Sequence, residues 1–259
     1  MSYVWCSLVN LLLLVLSVSA ENSQRITNGY AAAEGQFPYV VGLQIDNKDA
    51  SSWWCGGSII GHMWILTAAH CMERASGVTV YYGTTQRAQS ETVVYIDERD
   101  IIIHSDFETT NILINDLALI RTPWISFTQL IQNISLPMPK DRNQTYAGQW
   151  AKAVGWGQLS DAITLLPDQL QWQEMPIIEQ WQCELYYGQV ADGVICVDTS
   201  SHRSPCWGDS GGPLVINGGT KLIGVSSFVP TMGCEIGKPA GYVRLTEYLE
   251  WIAKNTGIY

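Results

Sequence analysis

Apolar side chains along this chain gather into short runs fenced by Gly, Asn, Asp and Ser rather than into long amphipathic stripes. The clearest are Tyr39 to Ile45, Val78 to Tyr82, Ile101 to Ile103, Leu117 to Ile120, Leu214 to Ile216 and Leu222 to Val225. Runs of this length, rich in β-branched and aromatic residues and closed by turn formers, predict strands. Several of them at modest spacing predict an all-β sandwich or barrel. One convincing helical pattern comes at the end, where Tyr248, Leu249, Trp251 and Ile252 share a helix face and Thr246 is placed to cap it. Between the two groups of strands, residues 131–148 are polar and proline-bearing and read as a linker. The chain has no internal repeat.

The apolar run Leu8 to Val18 is of a different kind. It sits in an uncharged segment, 1–20, that ends in the small residues Val18-Ser19-Ala20, the pattern of a signal-peptidase site. No Lys or Arg precedes it, so the n-region carries only the α-amino charge. The run is shorter than the ~20 residues a spanning helix needs, which favours a cleaved secretory signal over an uncleaved anchor. No other segment is long and apolar enough to cross a membrane.

Composition narrows the class. With 47% hydrophobic and 15% charged residues, 11 Trp and 12 Tyr in 259 residues, the chain is a folded globule and not a disordered linker. The 24 acidic residues against 14 basic ones give a net charge of -10, which argues against nucleic acid and anionic membrane as partners. Of seven cysteines, Cys6 leaves with the signal; the remaining six are Cys55, Cys71, Cys183, Cys196, Cys206 and Cys234. An even number in a secreted chain predicts disulfides, and spacing does not choose among the 15 pairings. Neither C-x-x-C nor H-x-x-x-H spacing is present, so no metal is expected. Asn133-Ile-Ser135 and Asn143-Gln-Thr145 are candidate N-glycosylation sites.

Four segments carry candidate chemistry: Leu66-Thr-Ala-Ala-His70-Cys71, Asn115-Asp116-Leu-Ala-Leu-Ile120, Gly155-Trp-Gly157 and Cys206-Trp-Gly-Asp-Ser210-Gly-Gly-Pro213. Taken singly, a histidine beside a cysteine is a core residue, an aspartate before a strand is a cap, and a Gly-rich turn is a turn. A serine hydroxyl attacks a peptide carbonyl at neutral pH only with a base beside it and donors for the oxyanion, so His, Asp and Ser together form a coherent set.

The conjunction, together with Cys55-Gly-Gly-Ser-Ile-Ile60 and Ile26-Thr-Asn-Gly-Tyr30 after Arg25, resembles the trypsin/chymotrypsin-like serine proteases, especially the insect gut proteases of the Jonah group. The resemblance runs from Ile26 to Tyr259. It implies an all-β fold of two packed six-stranded antiparallel β-barrels with a C-terminal helix, and the active site between them. It implies His70 as the general base and acid, Asp116 as the group that fixes its tautomer, and Ser210 as nucleophile. The N–H groups of Gly208 and Ser210 would form the oxyanion hole. Histidines 62, 104 and 202 match no catalytic position.

The resemblance further implies activation by cleavage after Arg25, with segment 21–25 as propeptide, residues 26–259 as the protease domain and the new Ile26 ammonium paired with Asp209. Thr27 stands where Val is commoner. The disulfides it implies are Cys55 to Cys71, Cys183 to Cys196 and Cys206 to Cys234. The substrate pocket would be formed by Ser204 at the floor, Trp207, Val229 and Ala240, with Ser226-Ser227-Phe228 along one wall. A neutral floor and narrowed walls imply cleavage after small or medium apolar residues, with aromatic ones as runner-up. Glu235 stands where an inward-leaning carboxylate would restore a basic preference, and Pro205 is unusual beside the floor. No cofactor is expected; segment Gly83 to Ala88 lacks the first acidic ligand of the calcium loop found in some relatives. The implied partners are polypeptide substrates, a trypsin-like activator and protease inhibitors, for a monomer secreted to a gut lumen.

Two rivals are a catalytically dead homologue used for binding, which typically lacks a triad residue, and an esterase of another hydrolase fold. The second would need its acid and His after the Ser in the chain, whereas here both precede it.

Overall fold

The computed structural model describes residues 27, 29–87, 89–109 and 113–259. The segments read above as leader (1–20) and propeptide (21–25), and Ile26, lie outside the described residues. Strands β1 (Tyr30–Ala31), β2 (Val40–Asn47), β3 (Ser52–Gly61), β4 (Trp64–Thr67), β5 (Ala75–Tyr82), β6 (Thr92–Asp97), β7 (Ile101–Ile103) and β8 (Ala118–Arg121) come first. Then follow β9 (Trp150–Gly155), β10 (Gln171–Ile178), β11 (Val194–Val197), β12 (Pro213–Ile216), β13 (Lys221–Phe228) and β14 (Ala240–Arg244). The α-helices among the described residues are α1 (Ala69–Met72), α2 (Gln180–Tyr187) and α3 (Leu249–Thr256).

The strands form two antiparallel sheets. The first has the order β6-β5-β2-β3-β4-β8-β7. Its two ends, β6 and β7, are joined by the 3-10 turn Glu98–Asp100 but are not paired with each other among the described residues, so this half is a curled, barrel-like sheet that stays open. The second runs β10-β11-β14-β13-β12-β9 and closes through β9 pairing with β10, with β1 added outside β10. Closure removes the open edges that a flat sheet would leave.

Period-two patterning explains the first barrel. Val41, Leu43 and Ile45 of β2 are wholly buried, and so are Val78 and Val80 of β5, which pair as Leu43 with Val80 and Ile45 with Val78. One inward file therefore fills the barrel, each such side chain contributing roughly 1.5–3 kcal/mol on burial. In the second barrel the interior is Met175, Ile177, Ile195, Val197, Leu214, Ile216, Ile223 and Tyr242. Trp156, Val215, Leu222 and Val225 extend the core of the first barrel across to the second.

Residues 131–148 lead from the first sheet toward β9 of the second, in irregular chain with a 3-10 turn at Pro139–Asp141 and a parallel bridge from Ser135 to Lys221. The C-terminal helix differs from expectation at its start. Thr246 lies inside a 3-10 turn, Leu245–Glu247, and α3 begins after Tyr248, with no side-chain cap. Thr246 is buried, so its hydroxyl is turned inward rather than toward the first turn of a helix. Among the described residues no helix is long and apolar enough to cross a membrane.

Candidate active site

His70 sits in the single turn α1, immediately before Cys71, which is bonded to Cys55 of β3. The next residue on β3, Gly56, donates its N–H to Ser210 O at 2.7 Å. Two adjacent residues of one strand thus hold the histidine and the serine loop. The opposite tether is β13: Ser226 O accepts from Gly211 N at 2.8 Å, and Ser227 Oγ donates to Asp116 Oδ2 at 2.6 Å. Residues far apart in sequence converge because each barrel contributes one strand that bonds to two of them.

Asp116 is wholly buried and accepts three hydrogen bonds. His70 N donates to Oδ1 at 2.8 Å, His70 Nδ1 lies 2.8 Å from Oδ2, and Ser227 Oγ is the third donor. A carboxylate only accepts, so Nδ1 carries the proton and Nε2 is left with a lone pair. Among the described residues no hydrogen bond joins Ser210 Oγ to His70 Nε2; such contacts tighten when substrate docks. Ser227 was not singled out for this contact by the sequence, where it reads as pocket wall. The signal for it is a pair of serines, both buried, closing an otherwise apolar strand.

The serine loop has a distinctive pattern of donors. Asp209 N bonds to Cys206 O at 2.9 Å, Gly211 N to Ser226 O, and Gly212 N to Asp209 O at 2.9 Å. Gly208 N and Ser210 N, which flank Asp209, have no acceptor among the described residues. The backbone that leaves them free needs glycine: Gly208 has φ +100°, and a Cβ there would lie 2.8 Å from Leu166 Cδ2. Gly211 has φ +76°, with a Cβ position 2.2 Å from Thr67 Oγ1. Two unpaired N–H groups beside a serine hydroxyl are suited to bind an anion that forms there.

Asp209 points away from this face into the interior, accepting from Gly157 N at 2.7 Å and Cys206 N at 2.9 Å. Burial pushes its carboxyl from 3.8 to about 6, and those two hydrogen bonds pull in the other direction. Thr27 is buried beside Ser204: Ser204 N donates to Thr27 Oγ1 at 2.8 Å, and Thr27 Oγ1 donates to Ser204 O at 3.2 Å. The hydroxyl that replaces a valine methyl is thereby satisfied, and residue 27 is bound in the interior of the second barrel's loops.

Ser204 is wholly buried, with its hydroxyl on Pro205 O at 2.8 Å. Ala240 opens β14 and is buried, and Val229, which follows β13, packs against the apolar cluster that includes Ala240; Phe228 pairs with Gly241 there. Trp207, the residue before Gly208, is half exposed. Glu235 does not lean inward: its Oε2 accepts from Asp161 N at 2.8 Å. The three disulfides are Cys55–Cys71, Cys183–Cys196 and Cys206–Cys234. His62 stacks between Trp124 and Phe127 at 4.0 and 3.9 Å, and His104 packs against Tyr248 and Trp251. Burial lowers the His104 pKa. Asn133 and Asn143 are both exposed.

Known proteins resemble this chain in sequence and in fold. The family model described as Trypsin matches residues 26–252. Serine protease 1 of Drosophila melanogaster is 48% identical over 234 residues, covering 90% of this chain and 86% of that protein. Collagenase of Hypoderma lineatum is 45% identical over 236 residues, covering 90% and 88%. A solved structure of HL collagenase superimposes with a TM-score of 0.83 at 44% identity, covering 90% of this chain and 99% of the other.

Proposed function

The chain belongs to the trypsin family of serine proteases, and from that premise we propose that it is a secreted digestive endopeptidase made as a zymogen. We assign His70, Asp116 and Ser210 as the triad, Gly208 and Ser210 as the oxyanion donors, and cleavage after neutral apolar residues. The observation that carries the reading is the pair of unengaged N–H groups at Gly208 and Ser210 beside a serine, with an Asp116-oriented histidine across the cleft.

In this mechanism Ser210 Oγ attacks the carbonyl carbon while its proton passes to His70 Nε2. The negative oxygen of the tetrahedral intermediate binds to the N–H groups of Gly208 and Ser210. On collapse, the carbon–nitrogen bond breaks and His70 returns the proton to the leaving amine. Water then repeats the sequence on the acyl-enzyme and restores Ser210. Asp116 stays ionised and stabilises the imidazolium. No step requires a metal or cofactor.

Ser204 sets the primary specificity. A buried neutral floor offers a cationic side chain no ion pair, and burying that charge without a partner costs several kcal/mol. Val229 and Ala240 narrow the walls, which favours Ala, Val, Leu or Met over aromatic residues. Chromogenic peptides differing only at the residue before the scissile bond test this. Leu, Ala or Met peptides are expected to be cut at least tenfold faster, by kcat/KM, than Arg or Lys peptides; the reverse order contradicts the neutral pocket.

Activation is assigned to cleavage after Arg25, with the freed Ile26 ammonium pairing with Asp209. Arg25→Gln is expected to stop activation by a trypsin-like protease and to leave a precursor with Asp209 lacking that partner. The folded pKa of about 6 lies above the ordinary 3.8. The stability this group contributes is therefore fully present below about pH 4 and lost as pH rises through about 6. An ammonium beside it favours the ionised form and offsets that loss. Thermal melts from pH 4 to 7 are expected to show the Arg25→Gln precursor losing stability relative to the cleaved enzyme; parallel profiles, or equal kcat/KM for precursor and cleaved enzyme, contradict the switch.

A further inference from the structure

At the rim of the proposed primary pocket, two segments grip each other's backbone. Asp161 Oδ1 accepts from Cys234 N at 2.7 Å, and its Oδ2 accepts from Glu235 N at 3.1 Å. In return, Asp161 N donates to Glu235 Oε2 at 2.8 Å. Gly233 makes room for this contact: its φ is +135°, and a Cβ there would stand 2.5 Å from Asp161 Oδ2. Neither carboxylate forms an ion pair among the described residues. Both are given over to backbone donors.

The other ends of the two segments are fixed to the serine loop. Gly157 N donates to Asp209 Oδ1 at 2.7 Å and Gln158 N to Trp207 O at 2.9 Å. Cys234 is bonded to Cys206, whose N–H donates to Asp209 Oδ2 at 2.9 Å. The links close a circuit from Asp209 through Gly157, Asp161, Cys234 and Cys206 back to Asp209. The Asp209 links are buried and the Cys206 link is covalent, whereas Asp161 is exposed. Water competes for hydrogen bonds at the exposed link, so that is where the circuit opens most readily.

We propose that Asp161 is a positioning residue for the primary pocket: by closing this circuit it holds the Gly233 to Glu235 turn, and the wall running on to Ala240, in the arrangement that accepts substrate. This rests on the assignment of Ser204, Val229 and Ala240 to that pocket. When the wall is held in place before substrate arrives, none of the binding free energy is diverted to ordering it. When the wall is loose, apparent affinity falls in proportion to the fraction of molecules that are competent. The effect therefore lies in KM rather than kcat, and it grows with how fully the substrate fills the pocket.

The test uses activated enzyme, quantified by active-site titration, with Asp161→Ala and Asp161→Asn. Two peptides are compared, one carrying the residue the unmodified enzyme prefers before the scissile bond and the other carrying glycine. Asp161→Ala is expected to raise KM about tenfold for the preferred residue and no more than about twofold for glycine, with kcat unchanged within about twofold. Asp161→Asn keeps an acceptor for Cys234 N–H but not for Glu235 N–H, and is expected to raise KM about threefold, again for the preferred residue only. It carries the test should Asp161→Ala yield no titratable enzyme. A KM unchanged for both peptides, or a kcat that falls equally for both, overturns the proposal. Failure of the pocket assignment is seen separately, as a preference of the unmodified enzyme for Arg or Lys; the comparison with glycine still reads the clamp.

Discussion

Ser210→Ala is expected to lower kcat about 10⁶-fold, the loss found on removing the nucleophile of an unrelated serine protease. The substitution deletes one oxygen. Ser210 is held through its backbone, with its carbonyl accepting from Gly56 N at 2.7 Å, and that bond survives in alanine. The N–H groups of Gly208 and Ser210 remain in place, so substrate still binds and its carbonyl is still polarised. What is lost is the covalent route: no atom near His70 Nε2 can both give up a proton and bond to the carbonyl carbon. A residual rate of roughly 10³–10⁴ over the uncatalysed reaction is expected from the donors and binding alone. Single-turnover kinetics of the purified variant, with thermal melts to check the fold, make the measurement. Peptidase activity within tenfold of the unmodified enzyme contradicts the assignment.

Asp116→Asn is expected to lower kcat about 10⁴-fold at neutral pH. The figure is carried over from the same substitution in a well-studied member of this family. The reason for the loss lies in the hydrogen bonds. Asp116 accepts from His70 N, His70 Nδ1 and Ser227 Oγ. Asparagine has one acceptor oxygen for three donors, and its amide N–H₂ must face at least one of them. Oxygen at the Oδ1 position, toward His70 N, puts the amide at the Oδ2 position facing Nδ1 and Ser227 Oγ; the hydroxyl rotates to accept, and Nδ1 then has to accept as well, so the ring proton moves to Nε2. A protonated Nε2 cannot take the proton of Ser210. Nitrogen-15 chemical shifts of His70 would report the tautomer directly: proton on Nδ1 in the unmodified enzyme, on Nε2 in Asp116→Asn. An unchanged tautomer with unchanged kcat contradicts the role given to Asp116.

Much of the architecture was legible where burial follows period two. Tyr39 to Ile45 and Val78 to Tyr82 became β2 and β5 because one file of each fills the first barrel. β10 was not legible, because Gln171 and Gln173 are turned inward and nearly unexposed, the reverse of the usual pattern. β3 carries Gly56-Gly57 in its middle, where Gly56 comes against Gly212 of the serine loop and Gly57 leaves room for Ile65, Val41 and Leu43, so the strand shows no alternating side-chain pattern there. α2 buries only Cys183, so it presents no apolar stripe to read.

The site shows the same division. His70, Asp116 and Ser210 stood out because their neighbours form short motifs, each with a chemical reason. Ser227 and Asp161 did not, because their side chains bond only to residues more than 70 positions away. Spacing along the chain says nothing about such pairs until the barrels are assembled.

Ser210 Oγ is assigned as the nucleophile and His70 as the base that activates it. A fluorophosphonate reagent tests this assignment most directly. Attack by the serine oxygen on phosphorus expels fluoride and leaves a stable phosphonyl ester in the oxyanion site. Peptide mapping by mass spectrometry is expected to find one phosphonyl group per molecule, on Ser210 alone, formed in step with loss of peptidase activity and not formed in His70→Ala. Inactivation with the label on another residue, or full labelling of Ser210 with activity retained, would contradict it.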